Sequence, residues 1–316
     1  MLFTHIYSKT DYLLISLFKE SVLMPPIFIG LSLSLLGIGF GVGTGIIVKF
    51  LANDVNLLVT LFYRFLFSLP VLFLVAIMTR GRDFYKINAK KTLLVRVAFG
   101  MAGIVFWFLS VRHLPLGLAT SIMHSSVIYV AMLSPFLLGE KVGIYRWSAA
   151  LTGLLGVFVI SGALSPAFEA AIFLAVFASL AGGGLQLALR RLGKSDAPAS
   201  VASWYNFMGF VAVSLVFLVL PSYWQIPEAG AFPYLILLGL FGSGLQICFT
   251  ASFRYVDAVV IATIRYLQVP LAGLVGYFAF QEVPTTTHYI GAVLIIGSCL
   301  VIVFREFQNR SKMPIT

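Results

Sequence analysis

A chain of 316 residues that is 60% hydrophobic and 10% charged excludes a soluble globular domain, in which about 25% of residues carry charge. A net charge of +10 does not signal nucleic-acid binding here, because the basic residues fall between apolar runs and not on one face; loop Lys and Arg that orient membrane spans explain them. Cys248 and Cys299 both sit inside apolar runs, so they read as packing residues and not as a disulfide.

Residues 1–24 carry Lys9, Asp11, Lys19 and Glu20 around a short apolar stretch from Tyr12 to Phe18. That stretch is too short to span and has no small-residue cleavage site. It reads as a cytoplasmic N-terminal segment, either an interfacial helix or sequence upstream of a start at Met24. Crossing the hydrocarbon layer takes about 20 apolar residues. Runs of that kind predict ten helices, over 25–46, 56–79, 93–111, 116–138, 144–162, 169–189, 199–220, 231–252, 258–280 and 286–304. Five form a first unit, 25–162, and five a second, 169–304; 305–316 is a cytoplasmic tail. The short link from Arg112 to Pro115 makes a tight hairpin of the third and fourth helices.

With the N-terminus inside, 17 of the 21 Lys and Arg residues fall in cytoplasmic segments. The outer connections hold only Lys49 and Arg112, and Arg64 and Arg265 lie within spans. This bias places both termini in the cytoplasm.

Sliding the chain against itself by 142 residues aligns Phe62-Tyr63-Arg64-Phe65-Leu66 with Trp204-Tyr205-Asn206-Phe207-Met208. The same offset pairs Gly41 with Gly183, Lys49 with Arg191, Asp54 with Asp196, Gly100 with Gly242, Arg112 with Arg254 and Glu140 with Glu282. Because each half has an odd number of spans, the second must lie upside down relative to the first. The charges agree: the basic loop 80–96 corresponds to 222–238, which has no Lys or Arg. The fold expected is an all-α membrane protein, ten transmembrane helices arranged as two inverted five-helix repeats. Inverted repeats mark transporters whose substrate site lies near the midplane.

Three features carry a family resemblance: the duplicated ten-helix layout, Arg64 in the second span, and the stretch from Phe108 through SVRHLPLGLATS to LLGEKVGIYRW. Its second-half counterpart is ASFRYVDAVVIATIRYLQVPLAGLVGYFAFQE, in which Pro270 precedes Glu282. On these grounds the sequence resembles the EamA family of the drug/metabolite transporter superfamily over residues 25–304. The resemblance implies a ten-span carrier of small solutes, a class that includes amino acids, drugs, vitamins, nucleotide-like metabolites and metallophores. Two departures stand out. Ile128 occupies the position equivalent to Pro270, and Asn206 stands where symmetry with Arg64 expects arginine.

Arg64 and Arg265 lie about eight residues inside their spans, where a charge costs about 2.5–3.5 kcal/mol on insertion scales. Each either faces a wet cavity, to attract an anionic or zwitterionic substrate through its guanidinium, or snorkels and bonds helix-end carbonyls. His124, matched to Tyr266 by the repeat, could bind substrate, accept a transported proton or bridge two helices. Tyr63, Trp107, Tyr129, Gln186, Tyr205, Asn206, Gln246, Tyr266 and Gln268 offer π-faces and amides to an organic ligand, or serve as interfacial and interhelical residues. Glu140 and Glu282 end the fourth and ninth spans at matching positions, before helices whose positive dipole ends favour a carboxylate; an architectural or a gating role fits. Gly37, Gly39, Gly41, Gly43 and Gly45, with Gly182-Gly183-Gly184, read as close-packing or pivot positions of the first and sixth helices, not as a phosphate loop, since no G-x-G-x-x-G fits in register.

All 11 Asp and Glu residues lie in termini, loops or span ends, which leaves no carboxylate relay through the midplane. No ATP-binding, H-E-x-x-H or G-x-S-x-G motif is present. The expectation is therefore a secondary transporter working by alternating access in a bacterial cytoplasmic (inner) membrane, without catalytic residues, metal or cofactor. Its partners are the bilayer and a small anionic or zwitterionic molecule, with proton or exchange coupling both compatible, as are a monomer and a homodimer. Efflux of a drug or metabolite leads. Uptake of an amino acid, vitamin or nucleotide-like metabolite is the alternative.

Overall fold

The computed structural model describes residues 26–130, 132, 144–160, 170–193, 195–252, 255 and 264–310. The N-terminal segment, Glu140, Lys141, Pro135 and Arg254 lie outside the described residues, as do parts of the fourth and ninth spans. Ten α-helices follow in chain order: α1 (Pro26–Phe50), α2 (Leu57–Arg80), α3 (Lys90–His113), α4 (Leu116–His124), α5 (Ile144–Ile160), α6 (Ile172–Leu192), α7 (Pro198–Val219), α8 (Phe232–Ser252), α9 (Gln268–Phe280) and α10 (Thr286–Arg310). Single 3-10 turns at Gly81–Asp83, Pro221–Tyr223 and Ala229–Ala231 sit in the connections, and no strand occurs among the described residues. Six of the helices, α1, α2, α3, α6, α7 and α8, are individually long and apolar enough to cross a membrane. The other four carry shorter apolar stretches.

These helices are apolar nearly all round, as expected of elements with lipid on one side and protein on the other. Their ends are marked by local chemistry. Asn56 caps α2 by accepting the Val59 N–H at 2.9 Å, and Gly81, at φ +57°, turns the chain where α2 stops. Pro198 opens α7 at a position where its missing N–H costs nothing. On the loop after α6, Asp196 accepts the N–H groups of Asn88 (2.5 Å) and Ala89 (3.1 Å) at the start of α3. Burial acts to raise the Asp196 carboxyl, but hydrogen bonds from Ser195 and these two amides hold it below the usual carboxylate range. Leu114 and Pro115 alone join α3 to α4, and Arg112 fastens that corner by donating to Val55 O and Thr60 Oγ1.

The packing obeys the repeat. α3 packs on α6 and α1 on α8, two pairs that exchange under the 142-residue offset; α2 packs on α7, α4 on α9 and α5 on α10, each a helix meeting its own equivalent. A pseudo-two-fold axis therefore passes through the last three contacts. With five spans per half, that axis lies in the membrane plane, which is the inverted arrangement expected.

Two placements differ from the sequence reading. Arg96, counted with the cytoplasmic loop, is the seventh residue of α3 and is buried. The third span expected from sequence, 93–111, already contains it; what the structure changes is its count as a loop residue, since its guanidinium lies over the Tyr205 ring. The last helix runs on to Arg310, through residues assigned to the tail.

Candidate functional site

α4 and α9 are both interrupted, at equivalent places. In the first half the helix breaks at Ser125, and helical geometry resumes over 126–130. Ser125 lies nine residues beyond Leu116, about 14 Å along the axis at about 1.5 Å per residue, close to half the thickness of the hydrocarbon layer. In the second half Tyr266 and Leu267 form a turn before α9 begins; Leu267 is the repeat partner of Ser125.

The causes differ. Pro270 has no N–H to give to Tyr266 O, and its ring crowds that carbonyl; Val269 N takes it instead at 3.1 Å. Ile128 stands in place of this proline, yet the first-half helix still opens, because the Ser125 hydroxyl donates back to Ile122 O at 2.6 Å and Ile128 N reaches only to Ser125 O. Hydroxyl back-bonding of this kind bends helices.

The two interruptions meet. His124 and Tyr266, equivalent under the repeat, pack edge to face with ring centroids 5.8 Å apart. Around them gather Arg265, whose guanidinium lies 4.6 Å from the Phe249 ring centre; Gln268, buried beside Gly41; and Cys299, which donates to His124 O. On the first-half side, Ser125 bonds Ser179 at 2.9 Å, and Gln186 donates to Ser126 Oγ at 3.0 Å. Buried polar atoms are ordinarily hydrogen-bonded, but Arg265 Nε, Tyr266 Oη and Gln246 Oε1 have no partner among the described residues. Among the described residues a donor, a hydroxyl and an acceptor are thus left unmet. Gln246 lies one turn before Phe249 on α8.

Small residues admit these groups. A Cβ on Gly41 would stand 3.0 Å from Gln268 Nε2, and one on Gly183 would stand 3.4 Å from Ser126 O. Ser126 and Gln268 are themselves repeat partners, so Gly41 of α1 and Gly183 of α6 each close on the interrupted helix of the opposite half, and not on each other.

The remaining residues named from sequence lie elsewhere. Arg64 is buried between α2 and α7, where its Nη1 donates to Asn206 Oδ1 at 3.3 Å, and it covers the Phe65 ring at 4.7 Å. Tyr63 belongs to an aromatic group with Phe62, Phe67, Trp224 and Phe232. Trp107 packs beside Gly45, where α3 meets α1. Tyr129 is buried against Gly183, and Tyr205 donates to Gly100 O at 3.2 Å.

Glu282 departs from the role read for it. It does not serve the helix that follows it: its Oε2 accepts the N–H of Leu116, the first residue of α4, at 2.7 Å, while its Oε1 pairs with Lys49. Lys49 also donates to Leu114 O at 2.6 Å. Gln281, in the left-handed region at φ 55°, turns the chain so that the carboxylate folds back under Gly276. A side chain of the second half thereby closes the end of a first-half helix, with a lysine from α1 on its other oxygen.

Sequence reasoning missed Ser125, Ser179, Phe249 and Arg96. The pair Ser125-Ser126 after His124 was a signal for the break, and Phe249 could have been sought one turn after Gln246.

Comparison with known proteins agrees with this architecture. The model of the EamA-like transporter family matches residues 28–162 and again 169–304. An S-adenosylmethionine uptake transporter of Rickettsia felis is 26% identical over 264 residues, 84% of this chain and 88% of that protein. A riboflavin transporter of Rhizobium johnstonii is 25% identical over 79% of this chain and 80% of its own length, and the pseudopaline exporter CntI of Pseudomonas aeruginosa is 24% identical over 66% and 74%. A solved crystal structure at 16% identity superimposes with a TM-score of 0.60, over 89% of this chain and 99% of that one.

Proposed function

Because the chain belongs to the EamA-like transporter family, we propose that it is a secondary carrier whose central site, at the meeting of the interrupted α4 and α9, takes a small organic solute bearing a carboxylate or similar anionic group and a donor such as an amine. The observation that carries this reading is the set of buried, unpartnered atoms at Arg265, Tyr266 and Gln246. Arg265 supplies the charge and a fork that fits a carboxylate, Gln246 Oε1 accepts from the donor, and the Phe249 and Tyr266 rings offer apolar faces. No carboxylate side chain shares this cluster among the described residues, which favours an anionic or zwitterionic solute over a purely cationic one.

Transport proceeds by alternating access, with the two halves rocking about the central site. The relatives named above include an uptake transporter and an exporter; with no ATP-binding motif, net direction in this chain follows the solute and coupling gradients. The charge bias puts both termini in the cytoplasm, and the protein carries no catalytic function of its own.

Purified protein in vesicles preloaded with unlabelled amino acids, vitamins or nucleoside-type zwitterions tests the proposal. Saturable counterflow of a labelled zwitterion or anion is expected. Flux that rises linearly without saturating would mean a channel, and chemical conversion of the solute would mean an enzyme; either result removes the carrier reading.

A further inference from the structure

The α2–α7 crossing holds two buried arginines that the central site does not use. Arg64 is 5% exposed and Arg96 6%, and neither forms an ion pair among the described residues. Arg96 lies flat on Tyr205, its guanidinium carbon 3.7 Å from the ring centre. Arg64 donates to the neighbouring Asn206 at a long 3.3 Å, and the two cations are close enough to repel each other. Arg64 Nε, Arg96 Nε and Arg96 Nη1 are buried with no hydrogen-bond partner.

The seat is built from repeat-equivalent glycines. A Cβ on Gly100 would stand 3.2 Å from Arg96 Nη1, and one on Gly242 would stand 3.3 Å from Arg64 Nε. Two glycines at one offset thus make room for two guanidinium groups. Aromatic faces offset part of a buried cation's desolvation, but charges in a low-dielectric interior are otherwise neutralised by a partner, and within a membrane such residues line a functional site by default. Tyr205 spends its hydroxyl on Gly100 O, and Asn206 spends its amide nitrogen on Ala202 O. Tyr205 and Asn206 thus meet only part of the two guanidinium groups, and among the described residues Arg64 Nε, Arg96 Nε and Arg96 Nη1 remain free N–H donors of one charge sign.

We propose that Arg64 and Arg96 form a second anion site, separate from the Arg265 cluster, that holds a small monovalent anion, either a halide or the carboxylate of a solute. The anion receives the unpartnered N–H groups of both arginines and cancels their mutual repulsion, tying α3 to the α2–α7 crossing on the axis between the halves.

The test is thermal unfolding of the purified full chain, without transport solute, in chloride, nitrate or acetate against isethionate at fixed ionic strength. A saturable rise in Tm is expected with at least one of the three. Stabilisation by chloride or nitrate assigns an inorganic anion, and stabilisation by acetate alone assigns a carboxylate. Arg96→Gln should abolish the anion-dependent rise, Arg96→Lys should retain a weakened one if the glutamine variant does not fold, and Arg265→Ala should keep it in full. Equal Tm in all four salts would overturn the proposal. So would a rise that survives Arg96→Gln, or one that disappears with Arg265→Ala. None of these readouts depends on counterflow, so this site and the carrier reading can fail separately.

Discussion

Two helix crossings lie on the same pseudo-two-fold axis, and at each one a residue touches its own repeat partner: His124 meets Tyr266 where α4 crosses α9, and Arg64 meets Asn206 where α2 crosses α7. At the first crossing both helices are broken, and polar groups from both halves surround the break. At the second both are continuous, over 24 and 22 residues; Ser203 Oγ of α7 donates to Leu72 O of α2, and Ser68 Oγ of α2 reaches Gly239 O on the neighbouring α8. Duplicated elements at equivalent depth have thus taken different work. An interrupted helix can turn backbone and side-chain polarity toward a ligand, whereas the intact pair buries the Arg64 guanidinium with its Nε unpartnered among the described residues.

The sharpest way to break this contrast is at Arg265. Arg265→Ala should lower counterflow at least 100-fold with unchanged protein abundance, since the loss of a charged partner at a buried site costs about 3 kcal/mol or more. Arg265→Lys should also lose most activity if bidentate pairing matters, whereas full flux in the alanine variant would take Arg265 out of the site. Next in size is Gly41→Val, whose Cβ would press on Gln268. Flux should fall about tenfold or more, while Gly39→Ala, with nothing within 4 Å, should transport as the parent does. Gly39 belongs to the apolar groove of Ser32, Leu35, Leu36 and Phe40, so it serves as the control on the same helix.

Glu282→Ala removes both the ion pair and the cap on α4. A loss of about 1 kcal/mol in stability is expected from the cap, read as a lower Tm; an unchanged Tm would mean that Leu116 N finds another acceptor. The smallest effect concerns Asp196. Its carboxyl sits below the usual range in the folded protein, so its contribution is present above about pH 4 and fades as pH falls through the depressed folded value. Tm curves of the parent and Asp196→Ala should therefore differ near neutrality and converge in acid; a constant gap across that range would assign the effect to packing.

Much of this was legible in the sequence, for identifiable reasons. Lipid demands long apolar runs, so the spans stood out, and an ungapped offset of 142 residues identified His124 with Tyr266 and Arg64 with Asn206 as equivalents; that these equivalents meet each other emerges only from the packing. Arg265 was legible because a mid-span cation is costly. The break at Ser125 was not: its cause is a hydroxyl turned onto a carbonyl, and serine does this in some helices while staying neutral in others. Nor was the partner of Glu282, because a carboxylate at a span end can serve any helix start that tertiary packing brings near. Arg96 was hidden by its place among five other basic residues from Arg80 to Lys91, where composition reads as loop.

The unlike origins of the two breaks carry a consequence for the transport cycle. Proline's missing hydrogen is permanent, so the segment before Pro270 stays bent in every state, as a fixed elbow. The kink at Ser125 is held by one rotatable hydroxyl, and a swing about χ1 would let the backbone ladder zip straight. In a rocking cycle of the kind proposed above, one limb would keep its bend while the other could straighten and bend again, an asymmetry between the two strokes that the duplicated folding pattern alone would not create.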